Sequence, residues 1–238
     1  MKINYKIVIT GGSGRFGSIL QKKYKSNKLF YPNKNQLNIL NTKSIEKYFK
    51  KIKPKCLIHL AALSRPMSIH NNNISESINL NIIGTANIVK ICSKYKIKLI
   101  YFSTNYVYPG KKGNYKENSP LLPINNYAWS KLGGEAAVQM YKNSLILRVC
   151  MTEKPFIHKK AFANVYSNFI YHDEVASILF KIINKKGIIN LGGTINSIYN
   201  FAKKDCPSLK KIYLKKKSQT NFPLNPSMNI NKLKKIIN

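Results

Sequence analysis

A tyrosine four residues before a lysine can work as an acid/base pair, because positions i and i+4 share one face of a helix. The stretch YAWSK places Tyr127 and Lys131 at that spacing. A phenol with a pKa of about 10 is a poor proton shuttle near neutrality. An ammonium one turn away stabilises the phenolate and draws the pKa toward the working range. The same spacing recurs at Tyr24/Lys28, Tyr108/Lys112, Tyr199/Lys203 and Tyr213/Lys217, so spacing alone does not separate the five. Position does. Tyr127 opens a predicted helix after PLLPINN, and upstream of it STNYVYPG brings Ser103 and Thr104 to the end of a predicted strand. A hydroxyl there can hydrogen-bond a carbonyl oxygen that the phenol protonates.

A second motif supplies a place for a nucleotide. TGGSGRFG (10–17) lies between a predicted strand and a predicted helix. It satisfies Gly-x-Gly-x-x-Gly through Gly12, Gly14 and Gly17, and also the wider Gly-x-x-Gly-x-x-Gly through Gly11, Gly14 and Gly17. Glycines there permit a tight turn and let backbone amides approach a pyrophosphate at the helix N-terminus. Gly11, Gly14, Arg15, Phe16 and Gly17 are therefore candidate cofactor contacts. NAD-binding versions carry an acidic residue about 20 positions on, for the ribose 2′-hydroxyl. Here the first acidic residue is Glu46, and Arg15, Lys28 and Lys34 are cations suited to a 2′-phosphate. The pattern fits NADP or NAD and tilts toward NADP.

Strands and helices alternate, which predicts a Rossmann-type, doubly wound α/β fold with a parallel sheet. Apolar runs place strands at 6–10, 28–31, 56–61, 97–104, 144–149 and 187–193, with another extended stretch at 36–40. Helical spacing covers 15–25, 43–53 (capped by Asn41 or Thr42 and ended by Pro54), 75–95, 127–142, 172–185 and 229–237. Residues 151–170 carry no clear pattern. Residues 1–150 hold the nucleotide-fold signal, and 151–238 read as a smaller substrate lobe interleaved with the sheet in one structural unit.

The 238 residues carry a net charge of +33. Lysines are spread over predicted helix faces and loops, while arginine, the side chain suited to forked phosphate and guanine contacts, occurs only at 15, 65 and 148. That distribution argues against specific nucleic-acid recognition, since dispersed charge gives only nonspecific affinity. No apolar run reaches the roughly 18 residues of a membrane span. The four cysteines lie far apart, and neither they nor the four histidines show ligand spacing. Reduced thiols, a cytoplasmic setting and no metal are expected.

The ordered set TGGSGRFG, HLAAL, NLNIIGTANI, STNYVYPG and YAWSK resembles the extended short-chain dehydrogenase/reductases. The stretch 103–135 is similar to their dTDP-4-dehydrorhamnose reductase branch, within the sugar-nucleotide-binding epimerase/dehydratase family. That resemblance implies Thr104 as the residue orienting the substrate carbonyl, Tyr127 as the acid/base, and Lys131 as its tuner and ribose ligand. It implies Asn81 as a support for that lysine through water, Ala61, Ala62 and Leu63 along the nicotinamide, and Asn38 and Ile39 beside the adenine. Asp173 and Glu174 read as helix N-terminal acids, and Arg148 as structural. The implied reaction is NAD(P)H-dependent reduction of a nucleotide-activated 4-keto deoxysugar for cell-surface polysaccharide assembly. An epimerase or dehydratase and a non-catalytic cofactor-binding subunit are the alternatives. A nucleotide-sugar substrate and a homodimer are the implied partners. The short interval between Arg148 and Tyr171 suggests a reduced sugar pocket.

Overall fold

Strand residues that are apolar on both sides must be covered on both sides, and this requirement sets the architecture. The computed structural model describes residues 3–215 and 222–237. The chain runs through β1 (Ile7–Thr10), α1 (Arg15–Lys23), β2 (Leu29–Phe30), α2 (Thr42–Ile52), β3 (Cys56–His59), α3 (Ile69–Asn72), α4 (Ile74–Ser77), α5 (Gly84–Lys94), β4 (Lys98–Thr104), α6 (Asn126–Gln139) and β5 (Ser144–Val149). It continues through β6 (Met151–Thr152), β7 (Lys160–Phe162), β8 (Tyr166–Ser167), β9 (Ile170–Tyr171), α7 (His172–Ile182), β10 (Gly187–Leu191), β11 (Asn196–Ser197), α8 (Ile198–Lys203), β12 (Lys210–Ile212) and α9 (Asn231–Ile237).

Six parallel strands form the main sheet in the order β2-β1-β3-β4-β5-β10. The order reverses between β1 and β3, and sheets of this kind bind ligands in the crevice beyond the strand ends at such a point. Successive side chains point to opposite faces. Ile7, Ile9, Cys56, Ile58, Ile100 and Phe102 enter one core with residues of α1 and α7. Val8, Leu57, Leu99, Tyr101 and Ile146 enter the other with residues of α2 and α5. The sixth strand and α7 both come from the chain after residue 150, so the second half of the sequence completes the sheet that the first half begins. The smaller lobe has its own apolar cluster, with Phe156, Val165, Ile198 and Leu209 buried among its members.

Three segments differ from expectation. Residues 36–40 form turns, not an extended strand: Asn38 Oδ1 accepts the Leu40 amide and the Asn38 amide donates to Ser44 Oγ, so side chains take the bonds a ladder would use. The helix expected over 75–95 is interrupted by a π-helical segment, Ile78–Ile83, between α4 and α5. The patternless 151–170 carries β6, β7, β8 and the start of β9, each of two or three residues: β6 pairs with β9, whereas β7 and β8 pair with the distant β12 and β11. The remaining caps follow local rules. Asn41 accepts the Ser44 amide at the start of α2, and Lys53, just before Pro54, closes it in the left-handed region. Glu174 accepts the Tyr171 amide at the start of α7.

Arg148 is structural, as expected. It is 1% exposed, with Nη2 2.6 Å from Oε1 of the fully buried Glu135. Its Nη1 donates to the Tyr108 hydroxyl at 2.7 Å and the Glu117 carbonyl at 2.9 Å. Removing one member of a buried ion pair strands the other charge, whereas replacing both with apolar groups costs far less. Glu135→Ala should therefore lower stability by about 3–5 kcal/mol in urea unfolding. The double variant Glu135→Leu/Arg148→Met should recover most of that loss.

Candidate functional site

The first helix begins with no side chain over its amides. Gly14 is its N-cap and makes no side-chain capping bond, so the helix start opens outward. A Cβ on Gly17 would lie 2.5 Å from the Gly11 carbonyl oxygen, so only glycine lets the loop close this tightly on the helix. The loop forms one wall of a cleft of about 1620 Å³. Gly11, Gly14, Arg15, Phe16 and Gly17 all line it, as do Ala62, Thr104, Tyr127 and Lys131. After β3 the chain shows an alternation of faces: Leu60, Ala62 and Ser64 line the cleft, whereas Ala61 and Leu63 do not. Ala61 packs against the second core.

Thr104 ends β4 and Tyr127 stands in the first turn of α6, whose N-cap Asn125 accepts the Ala128 amide at 2.8 Å. The Thr104 hydroxyl also accepts the Tyr106 amide, which fixes its orientation. Burial raises the phenol of Tyr127 above its ordinary pKa, against the hydrogen bond from Thr104 and the positive charges of Arg65 and Arg15. The expected lowering by Lys131 is not found. That lysine is 4% exposed, and burial pushes it down to about 7, with Glu135 opposing. Its Nζ lies 4.2 Å from the centroid of the Tyr101 ring. Desolvation of the ammonium outweighs what its neighbours offer, so Lys131 gives up charge before it can stabilise a phenolate.

Asn81 occupies the π-helical segment and is wholly buried. Its side chain bonds directly to the loop after β3 and to α6. Its Oδ1 accepts the Leu63 amide at 2.7 Å, and its Nδ2 donates to the Leu63 carbonyl at 2.9 Å and to Ser130 Oγ at 2.8 Å. Ser130 Oγ in turn donates to the Tyr127 carbonyl. Close approach of α6 makes this possible: a Cβ on Gly134 would stand 2.5 Å from the Asn81 carbonyl oxygen.

Asn38 and Ile39 are not brought to the cleft. Asn38 closes its own turn, and Ile39 is buried at 7% exposure against Gly84. None of the rival tyrosines lines the cleft. Tyr24 donates to the Ala176 carbonyl and Tyr108 to Asn190; Lys217, of the last pair, is outside the described residues. Ser103 also lines the cleft, but its hydroxyl donates to Glu135.

Residues that the sequence did not flag also converge. Glu153 lies between two arginines, its Oε1 3.3 Å from Arg15 Nη1 and 3.1 Å from Arg65 Nη1. Burial works against its ionisation, yet its own amide and the two guanidiniums hold the carboxyl below its usual range. From Tyr127 an aromatic run leads into the lobe, through Tyr106 at 6.4 Å and Phe222 a further 5.9 Å on, with Lys159 and Lys160 in the same wall. Neither Tyr106 nor Glu153 carries a local signal in the sequence. Among the described residues no cluster of His, Cys, Asp and Glu could hold a metal, and no helix is long and apolar enough to cross a membrane.

An unfolded lysine titrates near 10.4 and folded Lys131 at about 7. Between those values the folded chain binds fewer protons than the unfolded chain, so this group makes stability rise with pH across that window. Lys131→Met should melt higher than the parent at pH 6, and the gap should narrow toward pH 10 in parallel thermal scans.

The sequence profile described as the RmlD substrate binding domain matches residues 5–165. Methionine adenosyltransferase 2 subunit beta of Xenopus laevis is 31% identical over 154 residues, covering 60% of this chain and 46% of that protein. The dTDP-D-glucose 4,6-dehydratase of Dictyostelium discoideum is 30% identical over 257 residues, covering 82% of this chain and 57% of that protein. The chain thus spans about half the length of the curated relatives it matches. The dTDP-4-dehydrorhamnose reductase of Bacillus anthracis, solved with NADP, superposes with a TM-score of 0.86 at 22% identity, over 98% of this chain and 92% of that one. WbmG of Bordetella bronchiseptica, solved with NAD, superposes at 0.77 with 20% identity, over 98% and 87%. The two superpositions establish a shared fold, and the profile match, spanning more than half the chain, makes this protein a member of the RmlD substrate binding domain family.

Proposed function

We propose that the chain is an NAD(P)H-dependent reductase of a nucleotide-activated 4-keto deoxysugar, serving cell-surface polysaccharide assembly in the cytoplasm. One observation carries the reading: Thr104, Tyr127 and Lys131 line one cleft together with the glycine loop, with buried Lys131 one helical turn from Tyr127. In this proposal Gly11, Gly14, Phe16 and Gly17 give the cofactor pyrophosphate a helix N-terminus, and Arg15 adds a cation. Of Ala61, Ala62 and Leu63, it is Ala62 that lines the cleft and would border the nicotinamide. The absence of an acid before Glu46 favours NADP over NAD. The cofactor, when bound, supplies a hydride.

The protein's own part is to orient and to protonate. Thr104 and Tyr127 both hydrogen-bond the substrate carbonyl oxygen, and burial, which raises the phenol above its ordinary value, favours its protonated form. As charge develops on that oxygen, the phenolic proton moves to it. Lys131, titrating at about 7, is poised to give or take a proton at Nζ near working pH. On the other side of the cleft, residues from 151 onward form the substrate lobe. Tyr106, Phe222 and Phe162 offer ring faces for a base or sugar, and Lys159 and Lys160 offer charge for its phosphates. A homodimer belongs to the proposal, since Ile74, Ile78 and Trp129 are exposed apolar side chains on α4, the π-helical segment and α6, which pack against one another.

Two other readings have an observation behind them. Likeness to methionine adenosyltransferase 2 subunit beta favours a cofactor-binding regulatory subunit. Likeness to a dTDP-D-glucose 4,6-dehydratase favours a hydride that is cycled and returned. Titration of nicotinamide fluorescence with NADPH and NADH, followed by turnover on nucleotide 4-keto sugars, separates them. The reductase oxidises one cofactor per product; a dehydratase or epimerase leaves the cofactor balance unchanged; a regulatory subunit binds and does not turn over. Tyr127→Phe should lower kcat by about 100- to 10,000-fold while cofactor affinity stays within about twofold. Unchanged turnover would remove Tyr127 from the chemistry.

A further inference from the structure

The chain has 41 basic residues, and only three are arginines. One, Arg148, is buried in the fold. The other two, Arg15 and Arg65, meet at the mouth of the cleft on a single carboxylate, Glu153. The three groups come from three separate places: the first turn of α1, the loop after β3, and the segment just after β6. Arg65 Nη1 reaches both carboxylate oxygens, at 3.1 and 3.4 Å, and Arg15 Nη2 also donates to Ser64 Oγ at 3.1 Å. The side chains remain partly open to solvent, at 45% for Arg15 and 39% for Arg65. Ion pairs this exposed contribute little to stability, so the fold does not need them.

Their charge and shape suit another partner. Two guanidiniums against one carboxylate leave a net positive charge, and planar forked donors match the paired oxygens of a phosphate. The cluster begins at the helix start whose amides face the same cleft. Lysine could supply charge anywhere in this chain; the fork is supplied here.

We propose that Arg65 and Arg15 form a clamp for the diphosphate of a nucleotide ligand, and that Glu153 is an internal anion which the diphosphate displaces. This rests on the reductase reading for the identity of the ligands, and it adds to that reading two residues outside the glycine motif, Arg65 and Glu153. The diphosphate belongs either to the dinucleotide cofactor or to the nucleotide sugar. Glu153 sets the affinity: it occupies the arginines between ligands and so weakens binding and speeds release.

Isothermal titration of the full chain with inorganic pyrophosphate, NADPH and dTDP tests the clamp without requiring turnover. Arg65→Gln should weaken pyrophosphate about tenfold, and Glu153→Gln should tighten it severalfold. Glu76→Gln, which makes the same change in net charge elsewhere, should leave affinity within twofold. Loss confined to dTDP assigns the clamp to the substrate, and loss confined to NADPH assigns it to the cofactor; either supports the inference. Affinities for all three probes within twofold of the parent in both Arg65→Gln and Glu153→Gln overturn it. If the parent binds pyrophosphate through Arg65 but neither nucleotide, the clamp stands and the reductase reading falls.

Discussion

A buried amide must find partners for both its donors and its acceptor, and at Asn81 that requirement joins the two halves of the site. Its side chain satisfies both the amide and the carbonyl of Leu63, as a neighbouring strand would, and so fixes the loop after β3 where the sheet has ended. Its remaining donor holds Ser130, which holds the carbonyl of Tyr127. The position of the phenol therefore depends on a residue that lines no part of the cleft. The π-helical segment that presents Asn81 and the glycine that lets α6 approach belong to the same arrangement. Extra bulk at Gly134 would push α6 off the Asn81 carbonyl and lengthen the contact that Ser130 depends on.

Beneath this joint lies a layer of polar groups whose charged forms burial disfavours. His59 is 2% exposed and bonded to Thr10 and Thr85; burial, then the nearby Lys131, pushes it down to about 3. Burial also carries the Tyr101 phenol well above its usual value and brings Lys131 down to about 7. A floor that resists ionisation leaves the field at the cleft to groups at its mouth, where Arg15, Arg65 and Glu153 sit. The structure separates two tasks that one ammonium would otherwise share. Positive charge for an anionic ligand is placed on partly exposed arginines of the cleft wall, and a proton-exchanging amine is buried inside.

The sheet was legible because its strands are short, continuous and apolar, and each is stabilised by contacts its own composition announces. The glycine loop was legible for the same local reason: spacing between a strand and a helix is a property of adjacent residues. Tyr127, Thr104 and Lys131 needed the order of elements as well, since five tyrosines shared the spacing and only the strand end at Thr104 discriminated among them. What stayed hidden was set by distance along the chain. Arg65 and Glu153 are 88 positions apart, and nothing local to either foretells their meeting. The lobe strands are too short to show a period, being fixed by partners such as Lys210 to Ile212 for Lys160 to Phe162. At Asn38 and Ile39 a run that reads as extended is turned by Asn33, Gln36 and Asn38, whose side chains close turns on nearby amides.

Composition, which first looked like an obstacle, becomes informative once the scarce residues are followed in place of the abundant ones. A lysine in this sequence says little, because the chain has one almost everywhere. The eight acidic residues are different, since in a chain of net charge +33 each meets a surplus of cations and its choice of partner is not forced by supply. Glu135 is buried on Arg148, Glu174 closes the start of α7, and Asp205 is bonded to Tyr171 and Lys154. Those placements have structural reasons. Glu153 alone among these four sits at the cleft, and it is paired with arginines where lysines abound. A fold that wanted only neutralisation could have used any of its lysines; two guanidiniums gathered at one carboxylate describe the shape of the anion for which that carboxylate stands in.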